Sequence, residues 1–103
     1  MEVRAVATYI TLLNWTEQGV RAYKDTTKRS QDFAAALSKL GARLVDIYWT
    51  VGPYDLVCVV EAPDDETATA ASLQLSGAGN VRTTTLRAFG GEEMRRILAK
   101  AAG

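Results

Sequence analysis

The side chains with the best claim on chemistry gather around one stretch, "YWTVGPYDLV" at residues 48–57, which sets Tyr48, Tyr54 and Asp55 about a Gly-Pro pair. Phenols and a carboxylate suit two kinds of work. A carboxylate opening an apolar strand is exposed to desolvation, which raises its pKa toward the range of a general base. Phenols beside it can steady a developing oxyanion. On these terms Asp55 is the one candidate base. The other job is binding: flat aromatic faces hold an apolar or planar ligand while a few polar tips orient it. Tyr9, Thr11, Asn14 and Trp15 upstream, with Arg82 downstream, complete that candidate ligand-binding set. Each residue also has a plainer role. The rings can fill an interface or pack on a helix, and Asp55 can hold turn amides. Asn14 and Trp15 in "NWTEQG" can bind an anion at a helix start, or serve as cap and anchor. Arg82 or Arg87 would pair with Asp55 and lower its pKa, and strand parity leaves open which of them faces inward.

Other chemistry is excluded by composition. Histidine is absent, which removes Ser-His and Cys-His triads, His-ligated haem and His-containing zinc or iron sites. The single cysteine, Cys58, sits in "LVCVV" and reads as a small buried hydrophobe. The carboxylates of "DDE" at 64–66 lack the spacing of a calcium loop and suit the first turn of a helix. No metal and no cofactor is expected. Twelve basic and twelve acidic residues cancel, so nothing recommends nucleic acid or an anionic membrane as a partner. The apolar runs are too short to span a bilayer and "MEVRAVATYI" lacks a signal-peptide layout, so the expected location is the cytoplasm.

These residues need a scaffold, and 103 residues make a single domain over 1–103 with its own core. A first strand is expected over 6–13, and Asn14 with Glu17 resembles a capping pair opening a helix. "KDTTKRS" reads as a break, after which Phe33, Ala36, Leu37 and Leu40 share a helical face closed by Gly41. "ARLVDIYWTV" and "DLVCVVEA" form a β-hairpin, its Gly-Pro-Tyr-Asp connection expected as a type I turn. Pro63-Asp64 starts a second helix, "NVRTTTLRAF" suits an edge strand, and "EEMRRILAKA" is an amphipathic tail helix with a Glu92–Arg96 pair. The order is β-α-β-β-α-β plus a helix: an α+β chain of ferredoxin-like type, with the first and third strands central.

Two helices cover one face of such a sheet. Val45, Ile47, Trp49 and Val51 are expected toward the helices, and Tyr9, Leu13 and Tyr48 on the uncovered face. A monomer would expose too much apolar surface there, which predicts a homodimer or larger assembly joined through the sheets.

The stretches "YITLLNWTEQG", "YWTVGPYDLV", "VEAPDDE" and "GNVRTTTLRAF" together resemble the GYD domain family, whose signature stands here as Gly52, Tyr54 and Asp55. The resemblance covers most of residues 8–89. It implies a ferredoxin-like fold of the dimeric α/β-barrel kind in an uncharacterised family, and no particular activity. Relatives of that fold include cofactor-free monooxygenases, lactone isomerases, haem-handling enzymes and effector-binding domains. The expectation is an oligomer binding a small, partly aromatic or apolar metabolite in a pocket by the sheet. The alternative is a cofactor-independent enzyme, of monooxygenase or isomerase type, that uses Asp55 and the tyrosines.

Overall fold

A computed structural model describes residues 6–103. The chain runs β1 (Ala7–Trp15), α1 (Glu17–Arg21), a 3-10 turn (Tyr23–Asp25), α2 (Thr26–Lys39), β2 (Arg43–Trp49), β3 (Leu56–Ala62), α3 (Asp65–Gly77), β4 (Val81–Ala88) and α4 (Gly91–Ala101). The strands make one antiparallel sheet in the order β2-β3-β1-β4, so the fold is ferredoxin-like with β1 and β3 central. Local chemistry explains the helix ends. Asp64 caps α3 by accepting from the Thr67 amide at 2.8 Å, and Gly41 leaves α2 with φ +80°.

The cap of α1 differs from expectation. Asn14 belongs to β1, and it is the Thr16 hydroxyl that accepts from the Gly19 amide at 3.1 Å. A hydroxyl one residue before the helix has the reach that Asn14, still in the ladder, lacks. In α4, Glu92 pairs with Arg95 rather than Arg96, one turn being spanned as well by i,i+3 as by i,i+4.

Sidedness is the main correction. Tyr9, Thr11 and Leu13 of β1 are buried under the helices, with Leu56, Cys58, Val60 and Ala62 of β3 and with Leu37 of α2. Tyr9 and Leu13 are therefore core, not uncovered surface. Their parity is opposite to that expected, and on that side the tyrosine finds a partner: its hydroxyl donates to Asp65 at the start of α3. In β2 Ile47 and Trp49 pair with the helix-facing Cys58 and Leu56, as expected. A bulge between Leu44 and Asp46 then shifts the register, so Leu44 packs on the core and Val45 is left exposed.

The uncovered face is consequently Ile10 and Leu12 of β1, Val57 and Val59 of β3, Leu86 of β4 and Tyr48 of β2. Ile10 lies between Val59 and Leu86, and Leu12 beside Val57, so the apolar centre is continuous across three strands. No element of the described residues lies over it, and the shortest extent of the chain, 18 Å, is that of one sheet and one helix layer. Helix α4 is tied to the sheet by Arg87, whose guanidinium stacks 4.5 Å from the Phe89 ring and bonds Glu93 at 3.0 Å. That contact holds the Glu93 carboxyl below its ordinary pKa.

Candidate functional site

The connection between β2 and β3 is built on backbone needs. It is a six-residue bend over 50–55 closed by the Thr50 amide on the Asp55 carbonyl at 2.8 Å, rather than a tight hydrogen-bonded turn. Thr50 also donates its hydroxyl to the Tyr54 carbonyl at 2.6 Å. Gly52 sits at φ +135°, a conformation that L side chains avoid, with open space where a Cβ would go. The glycine is required by its torsion, not by crowding.

Asp55 completes the lock. Its amide donates to the Leu13 carbonyl at 2.9 Å, and its Oδ2 accepts from the Trp15 amide at 2.9 Å. The carboxylate stands where a further ladder carbonyl would stand, extending β1 against β3 by one bond. Asn14 ties the same loop from the other side, its Nδ2 donating to the Pro53 carbonyl at 2.8 Å. Both side chains are engaged by backbone. Neither Arg82 nor Arg87 forms an ion pair with Asp55: Arg82 lies on the uncovered face opposite Asn14, and Arg87 on the helix side beside Tyr9.

The expected ligand-binding residues thus divide. Tyr48 and Arg82 are on the uncovered face, and Asn14, opposite Arg82, reaches the loop at Pro53. Tyr54 is half-buried in the loop. Tyr9 and Thr11 are on the other side of the sheet, where burial and then the Asp65 bond push the Tyr9 phenol up to about 12. Thr11 is buried with its hydroxyl 3.3 Å from that of Thr85. Trp15 is the one member of the set that lines a cavity of ligand size.

That cavity lies between the sheet, α2 and the C-terminal end of α3 and has a volume of about 340 Å³. Leu13, Trp15, Phe33, Ile47, Leu56 and Leu75 form its apolar walls. Cys58 adds to the wall, a thiol pushed up to about 11 by burial and therefore neutral at physiological pH. Arg29, Asp32, Gln74 and Asn80 stand among its polar lining residues. The space exists because α3 is rich in alanine: Ala68 and Ala71 let it lie close to the sheet, while Ala36 and Ala78 leave the gap beside α2 unfilled. Ala36 is expected from the sequence on the apolar face of α2, whereas nothing in the sequence marks Arg29. The alanines on α2 and α3 are the signal for it in the sequence. Among the described residues no group of three or more Cys, Asp or Glu side chains is placed to hold a metal. No helix among them is long and apolar enough to cross a membrane.

The family model described as GYD domain matches residues 9–98. The chain is 38% identical over 83 residues to the glutamine synthetase and cystathionine beta-lyase binding protein of Thermus thermophilus. That alignment covers 80% of this chain and 87% of the relative. No solved structure gives a significant match.

Proposed function

The chain belongs to the GYD domain family, and we propose that it is a binding protein, a homodimer whose partners are enzymes of the kind its relative is named for. The observation that carries this reading is the uncovered apolar face centred on Ile10, Leu12, Val57, Val59 and Leu86. Apolar surface of that continuity is removed from water by pairing, and a twofold contact of sheet on sheet buries the same residues of both copies. The name of the Thermus relative supports glutamine synthetase and cystathionine beta-lyase as candidate partners. The geometry of Asp55 weighs against the catalytic alternative, because its carboxylate already holds the Trp15 amide.

Light scattering at low micromolar concentration tests the assembly. The wild type is expected as a dimer or larger, and Leu86→Glu, at an already exposed position, is expected to shift it toward monomer. A wild-type monomer overturns the assembly. Calorimetric titration into purified glutamine synthetase and cystathionine beta-lyase of the same organism tests the partners. Absence of binding to both sinks that assignment.

A second reading is favoured by the cavity of about 340 Å³, which falls at the lower end of the ~300–1,000 Å³ usual for ligand sites. On this reading the protein holds a small apolar or partly aromatic metabolite between helices and sheet, against Trp15 and Phe33.

A further inference from the structure

We infer that the cavity between α2, α3 and the sheet takes an apolar monocarboxylate, its tail against Trp15 and Phe33 and its carboxylate on Arg29. The inference rests on the metabolite reading and adds to it the chemical class of the ligand. Size comes first. At ~30 Å³ per water-sized unit, about 340 Å³ is the volume of about eleven non-hydrogen atoms. A medium-chain alkanoate or a single-ring arylalkanoate has that bulk. The walls carry no charge and present aliphatic and aromatic carbon, so the enclosed part of the ligand must be apolar.

The polar lining then selects the head group. Thr26, Ser30, Asp32 and Asn80 each hold a partner already, and Gln74 is exposed and carries no charge to match an anion. The Thr26 hydroxyl accepts from the Trp49 indole at 2.9 Å, Ser30 donates to the Thr27 carbonyl at 2.7 Å, and Gln18 donates to Asn80 at 3.0 Å. Asp32 is neutralised by Lys28 at 2.7 Å. Arg29 differs. It donates to the carbonyls of Ala22 at 2.8 Å and Gly19 at 3.3 Å, which fix the guanidinium at the end of α1. Those two bonds leave three of its five N–H donors without a described acceptor, and it forms no ion pair with a described residue. A half-buried guanidinium held in place by backbone, with donors to spare beside an apolar void, matches a planar carboxylate.

The test compares octanoate with octan-1-ol, two probes of one chain length and different head groups, by calorimetry and by the tryptophan fluorescence of the Trp49→Phe chain, in which Trp15 alone emits. Wild type is expected to bind octanoate about ten- to a hundredfold more tightly than octan-1-ol, the range set by a charge-assisted hydrogen bond. Arg29→Gln is expected to erase that preference while leaving octan-1-ol binding unchanged, and Arg29→Lys to restore part of it. Ala36→Leu, which fills the void from α2, is expected to abolish binding of both probes without lowering the melting temperature. Equal affinity of wild type for both probes overturns the carboxylate assignment and leaves the metabolite reading standing. Absence of saturable binding of either probe, or binding indifferent to Ala36→Leu, overturns the metabolite reading itself.

Discussion

Replacing Gly19 with alanine sets two effects of opposite sign against each other, and the structure decides between them. Alanine is the better helix former by about 1 kcal/mol, so an exposed position in α1 would gain stability. Gly19 is buried, and a Cβ there would lie 1.9 Å from the Asn80 carbonyl oxygen and 2.8 Å from its carbon. These are backbone atoms and cannot rotate away. Ordinary contact begins at about 3.4 Å, so the segment entering β4 must retreat by about 1.5 Å. The Asn80 carbonyl accepts from the Thr16 amide at 3.0 Å, and the adjacent Gly79 carbonyl accepts from the Thr16 hydroxyl at 2.6 Å. A retreat of that size breaks both bonds. Each carries about 1 kcal/mol net, and up to ~3 kcal/mol where a group is left unpaired away from water. After the helix-forming gain is deducted, Gly19→Ala is expected to cost about 1–5 kcal/mol. For a domain of this size each kcal/mol lowers the melting temperature by roughly 4–8 °C. Urea denaturation and calorimetric melting of the purified variant measure it. A variant as stable as wild type would show that the α1–β4 junction yields without losing its bonds, and the reasoning would fail.

Two further substitutions read the loop and the core. Asp55→Ala leaves the Trp15 amide without its acceptor and is expected to cost about 1–3 kcal/mol in urea denaturation, whereas Asp55→Asn keeps an oxygen in place and costs less than half as much. Equal losses for the two variants would contradict the ladder role. Tyr9 has its phenol raised from 10.0 to about 12 in the folded chain, so the unfolded chain gives up its proton first. The stability this contributes is complete below pH 10 and is lost as pH rises through about 12. Tyr9→Phe is therefore expected to flatten the decline of stability across that window, and an unchanged slope would refute the assignment.

How far the sequence could be read depended on whether a residue's role was set locally. Strand order, the hairpin, the Asp64 cap and the exit of α2 at Gly41 all follow from periodicity and turn chemistry within a few neighbours. Which face of β1 is inside does not. "YITLL" is bulky at both parities, and the choice is made 56 residues away, by the bond from the Tyr9 hydroxyl to Asp65. The bulge at Val45 is the same problem in β2: an alternating pattern fixes a face only while the register lasts. The cavity is further from reach still. It is made by what alanine leaves unfilled between two helices, and a sequence shows side chains but not the gaps between them.

The stretch around Gly52, Tyr54 and Asp55 holds the residue types best suited to chemistry, and its physical role leads to the cavity by another route. Gly52 permits a torsion other residues resist, and Asp55 fastens the loop to the amide of Trp15. Trp15 ends β1, pairs with Val81 at the start of β4, and turns its side chain into the cavity wall. The same two ends of chain carry Asn80 and Gly79, which grip Thr16 and so place α1, against whose final carbonyls Arg29 is held. The loop therefore acts on the cavity through one backbone bond to Trp15. One oxygen of the Asp55 carboxylate, Oδ2, thus has a structural task, and losing it would loosen the wall it supports.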